Sequence, residues 1–345
     1  MSYSSGGLIE AVDYNTFAQG GASVNHGVAN INTIWGVGSG DKGYGQSSTL
    51  TTVAATTDTV TATQWSNLIN RLNSILTHQS GSGSGLTLPT TGATIAYLSS
   101  LSTSVTTAYN NRLNAATNGT DITGGAFTSS WNVSSLNAAP TTNQIIRTAT
   151  FASADQARYF FNAGGKLILT MSATNVLGNS KGTDWVSLIG TKVASHTFDK
   201  NSNSRGGSGG TVSTSNTAIG YWGLTTGNQS MLKLTSATAT ADYGSNYVEI
   251  SVNANHASIP QGSNSDKGYI VRFTIDMNDV AADTATAVGW TTGGYNGNGN
   301  GAGGSVSPVQ GNFNDELNLS ITTNITVRPP ESTNLTNTWG TVTIS

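Results

Sequence analysis

The periodicity of this chain points to an α+β protein, with an N-terminal helical segment followed by an antiparallel β-sandwich of jelly-roll type. Three observations lead there. Apolar residues recur at steps of three and four up to about residue 115. Beyond about residue 143 they alternate singly, which is the period of a strand. Between Gly/Ser/Asn turns the later half then offers roughly eight or nine strand candidates, the count that sandwiches and jelly rolls need. These shifts divide the chain into residues 1–80, a helical segment; 81–142, a linker, one helix and an irregular connector; and 143–345, the β domain.

Taken in order, Tyr14 and Phe17 belong to a short leading helix or turn that Gly20 and Gly21 close. Val24, Val28, Ile31 and Trp35 then follow helical spacing up to Gly36. The segment Gly36–Gln46 is glycine-rich, but it follows a helix and lacks a closing Lys-Ser/Thr pair, so a connecting loop fits it better than a phosphate cradle. Residues 51–60 are polar and strand-compatible. A second helix opens at Thr61 or Thr63, carries Trp65, Leu68, Ile69, Leu72, Ile75 and Leu76 on one face, and ends near His78 and Gln79. Ser80–Gly85 has the composition of a flexible linker. The third helix spans about Ile95–Ala115. Its stripe Ile95, Leu98, Leu101, Val105 and Tyr109 suits either a coiled-coil seam between copies or packing on the second helix.

The pivot of the chain is Asn143–Ser172. Ile145–Phe151 reads as a strand, Ser153 and Gln156 as a helix-opening capping box, and Gly164–Gly165 as the helix stop. Lys166–Ser172 follows as a strand with Leu167, Leu169 and Met171 on one face. Later candidates are Trp185–Phe198, Ala218–Leu224, Ser230–Leu234, Tyr247–Asn253, Tyr269–Ile275, Leu317–Val327 and Thr338–Ile344. Asn201–Gly210 and Gly289–Ser307 read as long loops on this scaffold, where recognition tends to sit.

Composition narrows the function classes. Only 9% of the 345 residues are charged, against roughly a quarter in an average protein, so Ser, Thr, Asn and Gly must carry the surface. The 7 Trp, 11 Tyr and 8 Phe argue for packed cores. A net charge of −3 gives no footprint for nucleic acid or an anionic membrane. Cys is absent, which excludes disulfides and thiolate metal sites. The opening stretch has no basic start or apolar core of a signal peptide, and no apolar run reaches membrane-spanning length. Synthesis in a cytoplasm is the expectation.

Asp13-Tyr14-Asn15, the run Ile31–Gly38, Gly43–Gln46, Val60–Trp65 and His78-Gln79 stand in an order that resembles virion structural proteins of tailed phages, particularly tail-fibre-like or tail-associated proteins of cyanophages. Ala157–Gly165 resembles the Phe-Asn-x-Gly-Gly segment of their β domains. The resemblance covers the first eighty residues and the pivot, and carries no catalytic residue. It implies a structural protein of the virion, made in the host cytoplasm. It also implies self-association, as a trimer, and contact with other virion proteins. A glycan-cleaving tailspike-type enzyme, or a decoration, neck or baseplate protein, is the alternative.

Candidate sites follow from that picture. Tyr14, Phe17, Val28, Ile31, Trp35, Trp65 and Leu72 are more apolar than short glycine-split helices need, so they are assigned to an anchoring surface on the particle. The outer loops, rich in amides and hydroxyls, suit host surface glycans. His26, His78, His196 and His256 lack zinc spacing, and no cofactor or metal is expected. Glu10, Glu249, Glu316 and Glu331 offer no evident carboxylate pair for glycan cleavage. Asp276–Asp283 is the best cation candidate, although a helix-capping turn explains it without an ion.

Overall fold

The computed structural model describes residues 11–19, 29–47, 49–54, 59–92, 98–133, 141–236, 244–254, 267–280 and 316–345. Its helices are α1 (Ala11–Gln19), α2 (Ile31–Trp35), α3 (Ala62–Ser80), α4 (Leu98–Asn110), α5 (Ala154–Asn162) and α6 (Ser180–Ser187). Its strands are β1 (Ile122–Thr123), β2 (Phe127–Val133), β3 (Thr141–Thr150), β4 (Lys166–Asn175), β5 (Ser195–Phe198), β6 (Asn203–Arg205), β7 (Thr211–Ser215), β8 (Gln229–Thr235), β9 (Tyr247–Ala254), β10 (Ile270–Asp279), β11 (Leu317–Arg328) and β12 (Thr343–Ile344).

The strands form two antiparallel sheets. One runs β1-β11-β4-β5-β6, with β2 also on β11; the other runs β12-β3-β10-β9-β8-β7. The fold is therefore α+β with two sheets. Side chains alternate between buried and partly exposed along the whole of β11, as a strand with one covered face requires. The pivot carries the chain from one sheet to the other: β3 lies in the second, β4 in the first, and α5 joins them. Phe160 and Phe161 of α5 sit in an aromatic cluster with Phe151, Phe198 and Tyr221, where Phe161 stacks on Tyr221 at 4.4 Å. Phe198 of the first sheet meets Phe273 of the second edge-on at 5.6 Å. The two sheets touch there.

Helix α3 starts and stops where its sequence signals stand. Thr61 and Gln64 close a capping box, and Gly81, at φ 81°, donates its N–H to the Thr77 carbonyl of the last turn. Its apolar face is buried, with Trp65 near Tyr14 (6.3 Å) and Phe17 (6.4 Å). Helix α2 begins at Ile31, capped by Asn30; Val24 and Val28 lie outside the described residues.

Several expectations need correction. Trp185–Phe198 is not one strand: α6 and a π-helical turn, Leu188–Val193, precede the short β5. Asn179 caps α6 by accepting from Gly182, and the apolar run then packs on β4 as a helix despite its β-branched content. Ala218–Leu224 is a tight turn held by the carbonyls of Asp199 and Lys200. Of Thr338–Ile344 only the last two named residues pair with β3. The described part of residues 51–60 is not a strand, because the side chains of Asn15 and Asn32 bond the backbone of Val53 and Leu50 in place of a neighbouring strand. Conversely, the connector before residue 142 holds β1 and β2, and the supposed loop Asn201–Gly210 contains β6. Asp276–Asp279 is the end of β10 rather than a turn; Asp283 and the loop Gly289–Ser307 lie outside the described residues.

The buried apolar residues form one continuous cluster from Ala11 to Trp339. That cluster takes in described residues from all three stretches, 1–80, 81–142 and 143–345.

Candidate functional site: the Arg158 joint and the Trp35–Arg71 groove

The glycine-rich segment after α2 folds back on that helix. Tyr44 and Gln46 donate backbone N–H groups to Ile34 and Trp35, and Gly45 donates to Gly36. With those N–H groups used, the carbonyls of the loop converge on α5. Arg158, fully buried, donates to the carbonyls of Gly38 (2.6 Å), Val37 (2.7 Å) and Lys42 (2.8 Å), and Asp155 balances its charge at 3.0 Å. Asn162 Nδ2 donates to the Gly43 carbonyl at 3.1 Å, while its Oδ1 accepts from the Trp222 indole N–H. Gly45 is required at the contact: its φ is +68°, and a Cβ there would meet the Tyr159 ring at 2.3 Å. A phosphate cradle presents N–H groups to an anion; this loop presents carbonyls to a guanidinium. The segment is a joint that locks the helical layer onto α5.

Other contacts reinforce it. Gln46 bonds both ways with the backbone of Thr336, and Tyr44 donates to the Arg112 carbonyl. Lys200 reaches the Leu113 carbonyl. His78 Nδ1 lies 2.8 Å from Glu331 Oε1, joining α3 to the C-terminal segment. Burial holds His78 below the usual histidine range, against the pull of Glu331. Burial alone would raise Glu331, but N–H groups of Asn334 and Thr333 together with His78 outweigh it and hold the carboxyl low. Burial likewise depresses His196, whose Nε2 lies 2.7 Å from Asn203 Oδ1, and drives the Tyr44 phenol up.

The residues assigned to an anchoring surface are placed elsewhere. Tyr14, Phe17, Ile31, Trp35, Trp65 and Leu72 are all buried within the chain, so they present no free apolar face; Val28 lies outside the described residues. The need for a partner surface was real, but the rest of this chain supplies it. The seam fares similarly. Leu101 and Val105 are fully buried, Tyr109 is half-buried, and α4 lies against α3, so the described leucine and valine positions are covered within the chain. Ile95 and the Leu98 side chain are outside the described residues.

One open groove of about 370 Å³ lies beside α3. Asn67, Asn70, Arg71 and Ser74, at helical spacing on the face opposite the core stripe, form one wall, and Gln46 and Thr336 contribute to the other. The Arg71 guanidinium lies 4.1 Å over the Trp35 ring, and partial burial depresses its pKa. None of the lining residues is acidic. The groove thus offers amides, hydroxyls and one cation, a lining for an oxygen-rich solute. A second cleft of about 380 Å³ is walled by Ile122, Pro329, Pro330 and Trp339.

Among the described residues, no group of three or more His, Cys, Asp or Glu side chains could hold a metal ion. His26 and His256 are outside them. Glu316 uses its backbone carbonyl to accept from Asn179. No described helix is long and apolar enough to cross a membrane. Arg158 was missed in the sequence, although an arginine directly before three aromatics on a short helix, in a chain with a glycine loop to anchor, is a visible signal. Comparison with known protein families, curated proteins and solved structures finds no match for this chain.

Proposed function

We propose that this chain is a structural component of a phage virion, of the tail-fibre-like or tail-associated kind, built as two facing antiparallel sheets in a jelly-roll-like sandwich braced by a helical layer. The observation that carries the reading is the Arg158 joint. The stretches that resemble phage structural proteins, Ile31–Gly38 with Gly43–Gln46 and Ala157–Gly165, bind each other there through Arg158, Asn162 and Gly45. In this protein the recurring motif is joinery, which fits a building block better than a catalyst. Attachment to the particle and self-association as a trimer belong to the same reading, but through surfaces other than Tyr14, Phe17, Ile31, Trp35, Trp65, Leu72, Leu101 and Val105, which are covered or, for Trp35, nearly so. The Trp35–Arg71 groove is the described feature best suited to a host surface glycan.

The test is recovery of the chain in gradient-purified particles from cells infected by the phage that encodes it. Stoichiometric recovery in intact particles supports the reading. A chain confined to the soluble lysate, absent from particles, overturns it. Release of reducing sugar from host polysaccharide by the purified chain would favour the tailspike-type alternative.

A further inference from the structure

Lys181, Asn246 and Asp279 are three polar side chains brought together in the interior from distant parts of the chain. Lys181 stands on α6, one residue after its start. Its ammonium lies 2.6 Å from Asp279 Oδ2, with side-chain exposures of 0% and 4%. Asp279 is the last residue of β10, and Asn246, 3% exposed, immediately precedes β9. Those strands pair antiparallel with Tyr247 opposite Asn278. Continued one step beyond that last pair, the register sets Asn246 opposite Asp279, in keeping with its bond to the next residue, Val280. Both share the face of Val248 and Met277, which are fully buried. Directly opposed side chains have Cβ atoms about 4.5–5.5 Å apart, so the carboxylate holding Lys181 also neighbours the Asn246 amide. The Asn246 carbonyl oxygen is itself fixed, accepting the Val280 backbone N–H at 2.9 Å.

We propose that Lys181 and Asn246 form an intramolecular isopeptide bond, with Asp279 as the proton carrier. Each requirement of amide exchange has a group in place. The nucleophile is the Lys181 amine, freed when its ammonium passes one proton to Asp279. The electrophile is Asn246 Cγ, and the Val280 N–H stabilises negative charge developing on its oxygen. The new bond joins Lys181 Nζ to Asn246 Cγ, and the bond to Asn246 Nδ2 breaks. Lys181 gives up two protons in all; one accompanies Nδ2, which leaves as ammonia, and one remains on Asp279. No oxidant or other co-reactant enters. Burial supplies the proximity and also a driving force, because a desolvated ion pair is replaced by a neutral amide bonded to a neutral acid. In a chain without Cys the bond would be a covalent staple, tying α6 to the edge where β9 and β10 begin and end.

Intact-mass spectrometry of the purified full chain tests this directly. The expected mass is one ammonia below the sequence value, and trypsin releases a branched peptide containing Lys181 and Asn246. The Asn246→Ala chain has its full sequence mass and migrates more slowly in denaturing gels, having lost the closed loop. A folded wild-type chain at full sequence mass overturns the proposal, whatever the variants do. Loss of one water in place of ammonia, joining Lys181 to Asp279, overturns the roles given to Asn246 and Asp279. Ammonia loss confined to an unbranched peptide overturns it as well.

Discussion

Replacing Arg158 is the most informative perturbation of the joint. Its guanidinium satisfies the carbonyls of Val37, Gly38 and Lys42 and is itself neutralised by Asp155. Arg158→Ala leaves the Val37 and Gly38 carbonyls without their donor, the Lys42 carbonyl with only Asn162 at 3.3 Å, and Asp155 without its cation. Each unsatisfied buried acceptor costs about 1–3 kcal/mol, but the loop is partly exposed and water can recover some of that. Asp155 is nearly half exposed and regains water, so the carbonyls set the expected loss, about 2–4 kcal/mol in all. Arg158→Lys keeps the charge but not the planar fork, so it should lose about 1.5–3 kcal/mol. Urea unfolding followed by far-ultraviolet circular dichroism and tryptophan fluorescence gives both values. Amide exchange at Tyr44, Gly45 and Gln46, whose N–H groups close the loop on α2, should accelerate in both variants. A loss below about 1 kcal/mol for Arg158→Ala, with exchange unchanged, would refute the view that this residue holds the helical layer in place.

Phe161→Ala should cost about 3–5 kcal/mol by calorimetry or urea titration, because Phe161 touches Phe151, Phe160, Phe198 and Tyr221; a tolerated change would mean the sheets do not depend on that cluster. Thr61→Ala should remove about 1 kcal/mol through the lost α3 cap. Leu101→Ala should destabilise the single chain by about 2–5 kcal/mol while leaving the molecular mass in light scattering unchanged, since its side chain is covered within the chain; dissociation of an oligomer would restore the seam reading. Stability should also fall in mild acid. Burial depresses His78 and His196 in the fold, so the unfolded chain binds the proton more tightly. The stability is fully present above the unfolded value of about 6.5 and declines below it by at most about 1.4 kcal/mol per pH unit for each histidine. Urea midpoints should track this, and His196→Gln should flatten the slope; a pH-independent midpoint would contradict the burial.

Signals confined to a few neighbouring residues were readable in the sequence. The Thr61–Gln64 box, the Gly81 stop and the stripe from Trp65 to Leu76 each act within one or two turns, and α3 formed where they stand. Strands β8 to β11 were visible because one covered face writes an alternation into the residues themselves. Trp185–Val193 misled because β-branched content is only a weak preference, and packing against β4 outweighs it. β2 was hidden because just Trp131 and Val133 of its residues are buried. What covers an apolar face is a different kind of question. Periodicity shows that Trp65 or Leu101 must be buried, but not whether a second copy, another protein or a distant stretch of the same chain does the burying. That depends on contacts between residues far apart in sequence: Arg158 with Gly38, His78 with Glu331, Gln46 with Thr336. The groove by Arg71 and the meeting of Lys181, Asn246 and Asp279 arise in the same way. Local pattern fixes which side chains need a partner, and only long-range chain crossing, whose entropy cost no short window records, selects it.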